Sequence, residues 1–273
     1  MSRFRSAIIS GASRGLGAAM ARRLAAPGVT LGLIGRDAAA LAAVAEDCAA
    51  RGAHPRTARI DVRDATAMER QLLAWDAESP ADLLLANAGI ALGTRPGGGR
   101  EGVAALRAQL EVNMLGAAHL VEPLLPAMLA RGQGSIGLVC SLSSFRGLPD
   151  SPGYCASKAA LWSYGEALRA ETAPKGLRVT LVAPGFFDSA MGARWVGARP
   201  FSMSADQAAA RLARALDRGA ARLAFPWPLA LALRLSPLAP SRWVDAVVRR
   251  MEFQIQDQGQ GAPPPATRAE PGP

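Results

Sequence analysis

The sequence predicts a doubly wound parallel α/β sheet in a single domain with a C-terminal extension, and three observations predict it. Short apolar runs of β type alternate with longer alanine-rich helical patterns, and a glycine-rich turn joins the first run to the first helix. The chain has 273 residues, 50% of them hydrophobic, enough for one large buried core.

In chain order, residues 6–10, 29–34, 58–60, 82–86, 135–140 and 178–182 read as buried strands, because each is a short, nearly continuous apolar run. Helical patterns fall between them at 16–26, 38–51, 65–78, 103–129 and 155–172. Apolar strands alternating with helices imply a sheet covered on both faces. Gly28, Gly52 and Gly176 stand near helix ends, where a left-handed residue is commonly needed. Asp37 precedes the second helix as an N-cap.

The rhythm changes after residue 184. Residues 185–203 are glycine-rich, apolar and irregular, which predicts a loop or lid. A last strand is expected at 222–225, followed by Pro226-Trp227-Pro228 and an apolar, proline-punctuated segment to about Met251. The tail 256–273, rich in Gln, Gly and Pro, is expected to be disordered. The organisation is thus a main domain over 1–225, an extension over 226–255 and a tail, without internal repeats.

Composition narrows the function classes. The net charge is +9, but the arginines are spread along the chain with no dense basic block, which argues against a nucleic-acid partner. Lysine occurs only at Lys158 and Lys175. Cys48, Cys140 and Cys155 are odd in number and lack metal-ligand spacing, so they read as reduced thiols of a cytosolic protein without a metal site. The N-terminal apolar stretch Ala7-Ile8-Ile9 is too short for a signal peptide, and no run approaches the roughly 18 apolar residues of a spanning helix. A cytoplasmic location is expected.

Ser10-Gly11-Ala12-Ser13-Arg14-Gly15-Leu16-Gly17 follows the first strand and opens the first helix. Gly11, Gly15 and Gly17 would let backbone amides approach a pyrophosphate at the helix N-terminus, where the dipole favours negative charge. A purely structural turn is the alternative reading. The strand-turn-helix context makes it a Rossmann-type dinucleotide site. NAD binders commonly carry an acid at the end of the second strand; here stands Gly35-Arg36. Arg36, joined by Arg14, suits the 2′-phosphate of NADP(H) by forked contacts, so NADP(H) is favoured over NAD(H). Two solvated surface arginines are the plain alternative, and Asp37 competes as a ribose ligand.

Tyr154 and Lys158 form the sharpest pattern. With two tyrosines and two lysines, chance supplies about 0.015 such pairs at a spacing of four. Residues four apart share a helix face, and an ammonium near a phenol is expected to lower its pKa by roughly 1–3 units.

Together, residues 10–17, Ala86-Asn87-Ala88-Gly89 and Tyr154-Cys155-Ala156-Ser157-Lys158 resemble the short-chain dehydrogenase/reductases, over about residues 4–191. The resemblance implies an NADP(H)-dependent oxidoreductase acting on a small-molecule carbonyl or secondary alcohol. It assigns Ser141, thirteen positions before Tyr154, to the substrate oxygen, with Tyr154 as proton donor. Ser143 and Ser144 are then turn and capping residues. Asn113 matches the fourth catalytic member, holding a water that links Lys158 to solvent. The cofactor contacts implied are Gly11, Ser13, Arg14, Gly15, Leu16, Gly17 and Arg36; Asp61 and Val62 at the adenine; Asn87, Ala88 and Gly89 past its ribose; Tyr154 and Lys158; and Pro184, Gly185 and Ser189 at the carboxamide. Ser189 and Ser10 stand where the family usually has threonine, and each keeps the hydroxyl. A homodimer or homotetramer is implied, and reduction is the expected direction.

Substrate choice is expected to come from residues 145–153, 186–203 and the C-terminal segment. Phe186, Phe187, Met191, Trp195, Val196 and Phe201 suggest a hydrophobic substrate, or alternatively pack the loop. For 225–243 three readings compete: a lid, a subunit interface, or a peripheral membrane contact through 225–250 flanked by Arg222, Arg234, Arg242, Arg249 and Arg250. The rivals for function are a nucleotide-sugar epimerase, disfavoured by length and glycine spacing, and a non-catalytic NADP-binding sensor or scaffold, disfavoured by the complete catalytic set.

Overall fold

A computed structural model of the chain describes residues 3–93, 100–193, 195–196, 199, 201–249 and 254–255. Its strands are β1 (Ser6–Ser10), β2 (Thr30–Gly35), β3 (His54–Arg59), β4 (Leu83–Ala86), β5 (Gly134–Val139), β6 (Leu177–Pro184), the two-residue β7 (Trp195–Val196), β8 (Arg222–Phe225) and the two-residue β9 (Gln254–Ile255). Seven of them form one parallel sheet in the order β3-β2-β1-β4-β5-β6-β8, while β7 pairs antiparallel with β9. The order reverses between β1 and β4, which opens a crevice at their carboxyl ends.

The helices are α1 (Gly15–Leu24), α2 (Ala38–Ala49), α3 (Ala65–Glu78), α4 (Gly102–Leu110), α5 (Gly116–Val121), α6 (Leu125–Arg131), α7 (Pro152–Thr172), α8 (Ala190–Ala193), α9 (Ala205–Arg218), α10 (Trp227–Leu235) and α11 (Ser241–Arg249). Side-chain alternation along the strands feeds two cores. Ile9, Leu83 and Leu85 pack with Met20, Leu41 and Leu212 on one face. Their neighbours Ile8 and Leu84 pack with Leu72, Leu120 and Leu161 on the other. Consecutive apolar residues in a strand are therefore all buried, as expected for a sheet covered on both sides.

Gly28, Gly52 and Gly176 all take positive φ, at 78°, 82° and 89°. At Gly176 a Cβ would also lie 2.1 Å from the Gly132 carbonyl oxygen, so both backbone angle and space require glycine. Asp37 caps α2 by accepting from the Ala40 amide at 3.0 Å.

Several elements differ from the sequence expectation; the loop expected at 185–203 contains the four-residue α8 and the two-residue β7, and the pairing of β7 with β9 was not expected. β3 begins at His54, not residue 58, because its first four residues are polar or proline, as an edge strand tolerates. The expected helix at 103–129 is broken: a π turn, Glu111–Leu115, separates α4 from α5, and α6 follows as a separate helix. α7 starts at Pro152, placing Tyr154 in its first turn. α9 was not anticipated; a Ser204–Gln207 capping box starts it, and Ala208, Leu212 and Leu216 bury a narrow face between arginines. The proline-punctuated segment after residue 225 forms α10 and α11. Arg250, Met251 and the tail expected to be disordered lie outside the described residues.

Candidate active site

Most residues that the sequence singles out for chemistry or cofactor binding lie at the carboxyl end of a sheet strand or on the helix that follows; Asn113 stands in the π turn Glu111–Leu115 and Ser189 in the loop after β6. The glycine turn follows β1, Arg36 follows β2, Asp61 and Val62 follow β3, and Asn87–Gly89 follow β4. Ser141 follows β5, and Pro184-Gly185 ends β6.

Gly11 and Gly15 take φ values of 65° and 57°. A Cβ on Gly17 would stand 2.2 Å from the Gly11 carbonyl oxygen and 2.5 Å from Asn87 Nδ2, so the turn closes only on glycine. Asn87 fastens it: Nδ2 donates to the carbonyls of Ser10 and Gly11, both at 3.1 Å. Ser10 Oγ accepts from the Asn87 and Ala88 amides at 3.1 and 3.2 Å, so serine does here what a threonine hydroxyl would do. Arg14 at the start of α1 is extended and forms no side-chain cap, which leaves the first-turn amides of α1 facing the crevice. The cradle fits a dinucleotide pyrophosphate. Ser189 sits across it, its Cβ 3.6 Å from where a Gly15 Cβ would be, and its hydroxyl accepts from the Gly192 amide at 2.9 Å.

At the next strand ends, Arg14 and Arg36 are both exposed. Asp37, also exposed, caps α2 through one carboxylate oxygen. Asp61 is gripped by Arg63, whose side chain donates at 3.1 and 2.8 Å and whose amide donates at 3.0 Å. Desolvation opposes the charge on Asp61, yet the Arg63 hydrogen bonds and the nearby Arg36 overcome it and hold the carboxyl below its ordinary range. Arg63 was missed in the sequence; an arginine two residues after an aspartate carries no signal of its own.

Ser141, Tyr154, Lys158 and Asn113 converge. The Ser141 hydroxyl lies near enough to the Tyr154 phenol to favour its ionised form. Ser141 Oγ is 2.8 Å from Ser143 Oγ and accepts the Ser143 amide at 3.2 Å. Ser144 Oγ donates to the Lys158 carbonyl at 3.0 Å, so Ser143 and Ser144 do shape the turn. Lys158 Nζ lies 6.0 Å from the Tyr154 ring centre and donates to the Val139 carbonyl at 2.8 Å. Asn113 is fully buried: Oδ1 accepts from the Ile90 amide at 2.7 Å, and Nδ2 donates to the Ile90 carbonyl and Ser157 Oγ. A Cβ on Gly89 would fall 3.2 Å from Asn113 Oδ1 and 3.4 Å from Lys158 Nζ, which brings the nucleotide-side turn against the catalytic pair.

The electrostatics correct one expectation. Burial pushes the Tyr154 phenol up to about 12, with the Ser141 hydrogen bond acting in the opposite direction. Burial likewise pulls the Lys158 ammonium down to about 8. Burial governs both shifts, and the lowering of the phenol anticipated from lysine is not among their causes. The resting tyrosine is a protonated acid.

The expected substrate segments surround this cluster. Phe145 stacks edge-on against Trp162 at 4.8 Å, and the Arg234 guanidinium of α10 lies over both rings. Arg146 pairs with Asp245 of α11. Phe186 packs against Trp195 at 5.1 Å, and Phe187 packs against the core. The inner face of α10 and α11 thus clasps residues 145–146. Trp227, Leu231 and Leu235 of α10, Leu238 in the turn after it, and Trp243 and Val247 of α11 are exposed.

A glycine cradle at the switch point and a serine-tyrosine-lysine cluster beside it define a dinucleotide-dependent oxidoreductase. Comparison with known proteins agrees. The short chain dehydrogenase family model matches residues 5–199, and the chain belongs to that family, whose members act between CH–OH and C=O with NAD or NADP. An uncharacterized oxidoreductase of Myxococcus xanthus is 35% identical over 249 residues, covering 91% of this chain and 98% of its own. A short-chain dehydrogenase from Streptomyces avermitilis superposes with a TM-score of 0.72 at 25% identity, over 90% of this chain and 96% of its own. An actinorhodin polyketide ketoreductase solved with NADPH gives 0.73 at 25% identity, over 83% and 97%. Among the described residues no single helix is long and apolar enough to cross a membrane.

Proposed function

We propose that this chain is an NADP(H)-dependent reductase of a hydrophobic ketone or oxoacyl compound, with Ser141, Tyr154, Lys158 and Asn113 as its catalytic set. The observation that carries this reading is the convergence of Ser141, Tyr154 and Lys158 beside the glycine cradle, with Lys158 Nζ 6.0 Å from the Tyr154 ring centre and anchored on the Val139 carbonyl. Bound NADPH supplies the hydride. Ser141 donates a hydrogen bond to the substrate oxygen, and Tyr154 protonates that oxygen as negative charge develops. Lys158 holds positive charge behind the phenol, and Asn113 locks the strand-end loop against α7 and seats the relay water. A protonated resting acid suits reduction.

The cofactor contacts proposed are those named from the sequence. Exposed Arg36 and Arg14, with one oxygen of Asp37 engaged in the cap of α2, favour the 2′-phosphate. Titration by nucleotide fluorescence should show NADPH binding at least about tenfold tighter than NADH, since a forked charge-assisted contact is worth about 1.5–3 kcal/mol. Arg36→Ala should erase most of that preference. Equal affinity of the wild type for both nucleotides would refute it.

The catalytic unit proposed is 1–225 and the extension 226–255, of which α10 and α11, set against Phe145 and Arg146, are proposed as a wall of the substrate entrance. The outer ridge of Trp227, Leu231 and Leu235 has the i, i+4 spacing of a helix-packing surface, which favours a homodimer or homotetramer over a lipid contact. Sedimentation should show an assembly that Leu235→Asp dissociates. A monomer that floats with anionic vesicles would assign the face to lipid instead.

A further inference from the structure

Helix α7 carries Tyr154 and Lys158, yet its own N-terminus is not capped from within. Ser151, the N-cap residue, makes no side-chain cap bond, and its buried Oγ has no partner. The work is done from across the site. Glu101 Oε2 accepts from the Gly153 amide at 2.6 Å, and Glu101 Oε1 accepts from Gln109 Nε2 at 2.5 Å. Gln109 Oε1 in turn accepts from the Leu92 amide at 3.0 Å. Glu101 is 6% exposed and Gln109 fully buried. A Cβ on Gly153 would meet Gln109 Nε2 at 2.6 Å and Glu101 Oε2 at 2.8 Å, so only glycine admits the carboxylate.

We propose that Glu101 and Gln109 are positioning residues for catalysis, a buried donor–acceptor chain that holds the first turn of α7, and with it Tyr154, in register with Ser141. The inference rests on Tyr154 being the proton donor. Its logic is stoichiometric. Both ends of the chain are backbone N–H donors, so the two side chains between them must be one carboxylate and one amide. A second amide at position 101 leaves two donors face to face whichever way either amide turns. Exchanging the two residues restores the three links of the chain but replaces the bond from Gln109 Nε2 to the Ala105 carbonyl with two facing acceptors, so recovery is partial. The carboxylate also lies at the positive end of the α7 dipole. Misplacing a catalytic group by about 1 Å costs about a hundredfold in rate.

The test compares wild type, Glu101→Gln and the exchanged double variant Glu101→Gln/Gln109→Glu, with Tyr154→Phe as reference. Amide hydrogen exchange is followed in peptides covering residues 150–158 and in the sheet strands, alongside NADPH binding. Turnover is measured with ethyl acetoacetate and a long-chain methyl ketone. Glu101→Gln should speed exchange at the start of α7 but not in β1 or β5, and lower kcat about 30–100-fold with KM and NADPH affinity nearly unchanged. The exchanged variant should recover at least about tenfold of that loss and restore slow exchange. Unchanged exchange in Glu101→Gln, or no recovery in the exchanged variant, would overturn the proposal. Absence of any turnover that Tyr154→Phe removes would count against the reductase reading, while the exchange data would still decide the clamp.

Discussion

Replacing Tyr154 with phenylalanine is expected to lower kcat by about three orders of magnitude or more, while NADPH binding changes by no more than about twofold. The phenol is the group in the cluster that combines an ionisable proton with a position beside the Ser141 hydroxyl. General acid catalysis by a positioned side chain contributes about 10²–10⁴-fold, and removing it leaves only orientation and the serine hydrogen bond. Structural cost should be small. Tyr154 is half-buried, and phenylalanine keeps the ring while deleting one hydroxyl, whose partner Ser141 retains Ser143 as a neighbour. Single-turnover stopped-flow at saturating NADPH separates the two effects. A rate within tenfold of wild type would mean that another group delivers the proton, whereas loss of nucleotide binding would mean that the ring shapes the nicotinamide site.

Much of this arrangement is legible in the sequence for physical reasons. Parallel strands buried on both faces must be continuously apolar, which exposed β1, β4, β5 and β6, and a turn that closes only on glycine announces itself by composition. Tyr154 and Lys158 were legible because both residue types are scarce here and their spacing is one helical turn. What was hidden has an equally physical basis. β3 is an edge strand whose first half is polar, so it lacks the apolar run. α9 buries alanines and leucines at helical spacing amid arginines, a narrow stripe easily taken for a solvated segment. The Glu101–Gln109 chain could not be seen at all, because its logic is the matching of donors and acceptors between a loop, α4 and α7. An isolated glutamate before a helix reads as surface. The expected lowering of the Tyr154 pKa failed for a related reason: spacing reports which charges are near, not how much water the fold removes from them.

Lys158→Met should abolish nearly all turnover, by about 10³-fold, and yet leave the protein at least as stable as wild type. Burial lowers the lysine to about 8, which means that below that pH the folded protein carries a charge it disfavours, at a cost on the order of 3 kcal/mol. The sign follows from the direction of the shift. A depressed amine pKa means that stability falls as pH drops from the ordinary lysine range towards about 8 and then levels. Methionine has a similar volume and no charge to desolvate, and the one bond given up is that to the Val139 carbonyl. Activity runs the other way. The ammonium supports the phenol only while charged, so wild-type kcat for reduction should fall as pH rises through about 8, although Tyr154 remains protonated to about 12. Thermal melts and kcat profiles between pH 6 and 9.5 read both trends on one sample set. A methionine variant that is inactive but melts below wild type at neutral pH would show that the lysine is retained for structure. Equal or greater stability with lost activity would show that a strained, buried charge is kept for the reaction.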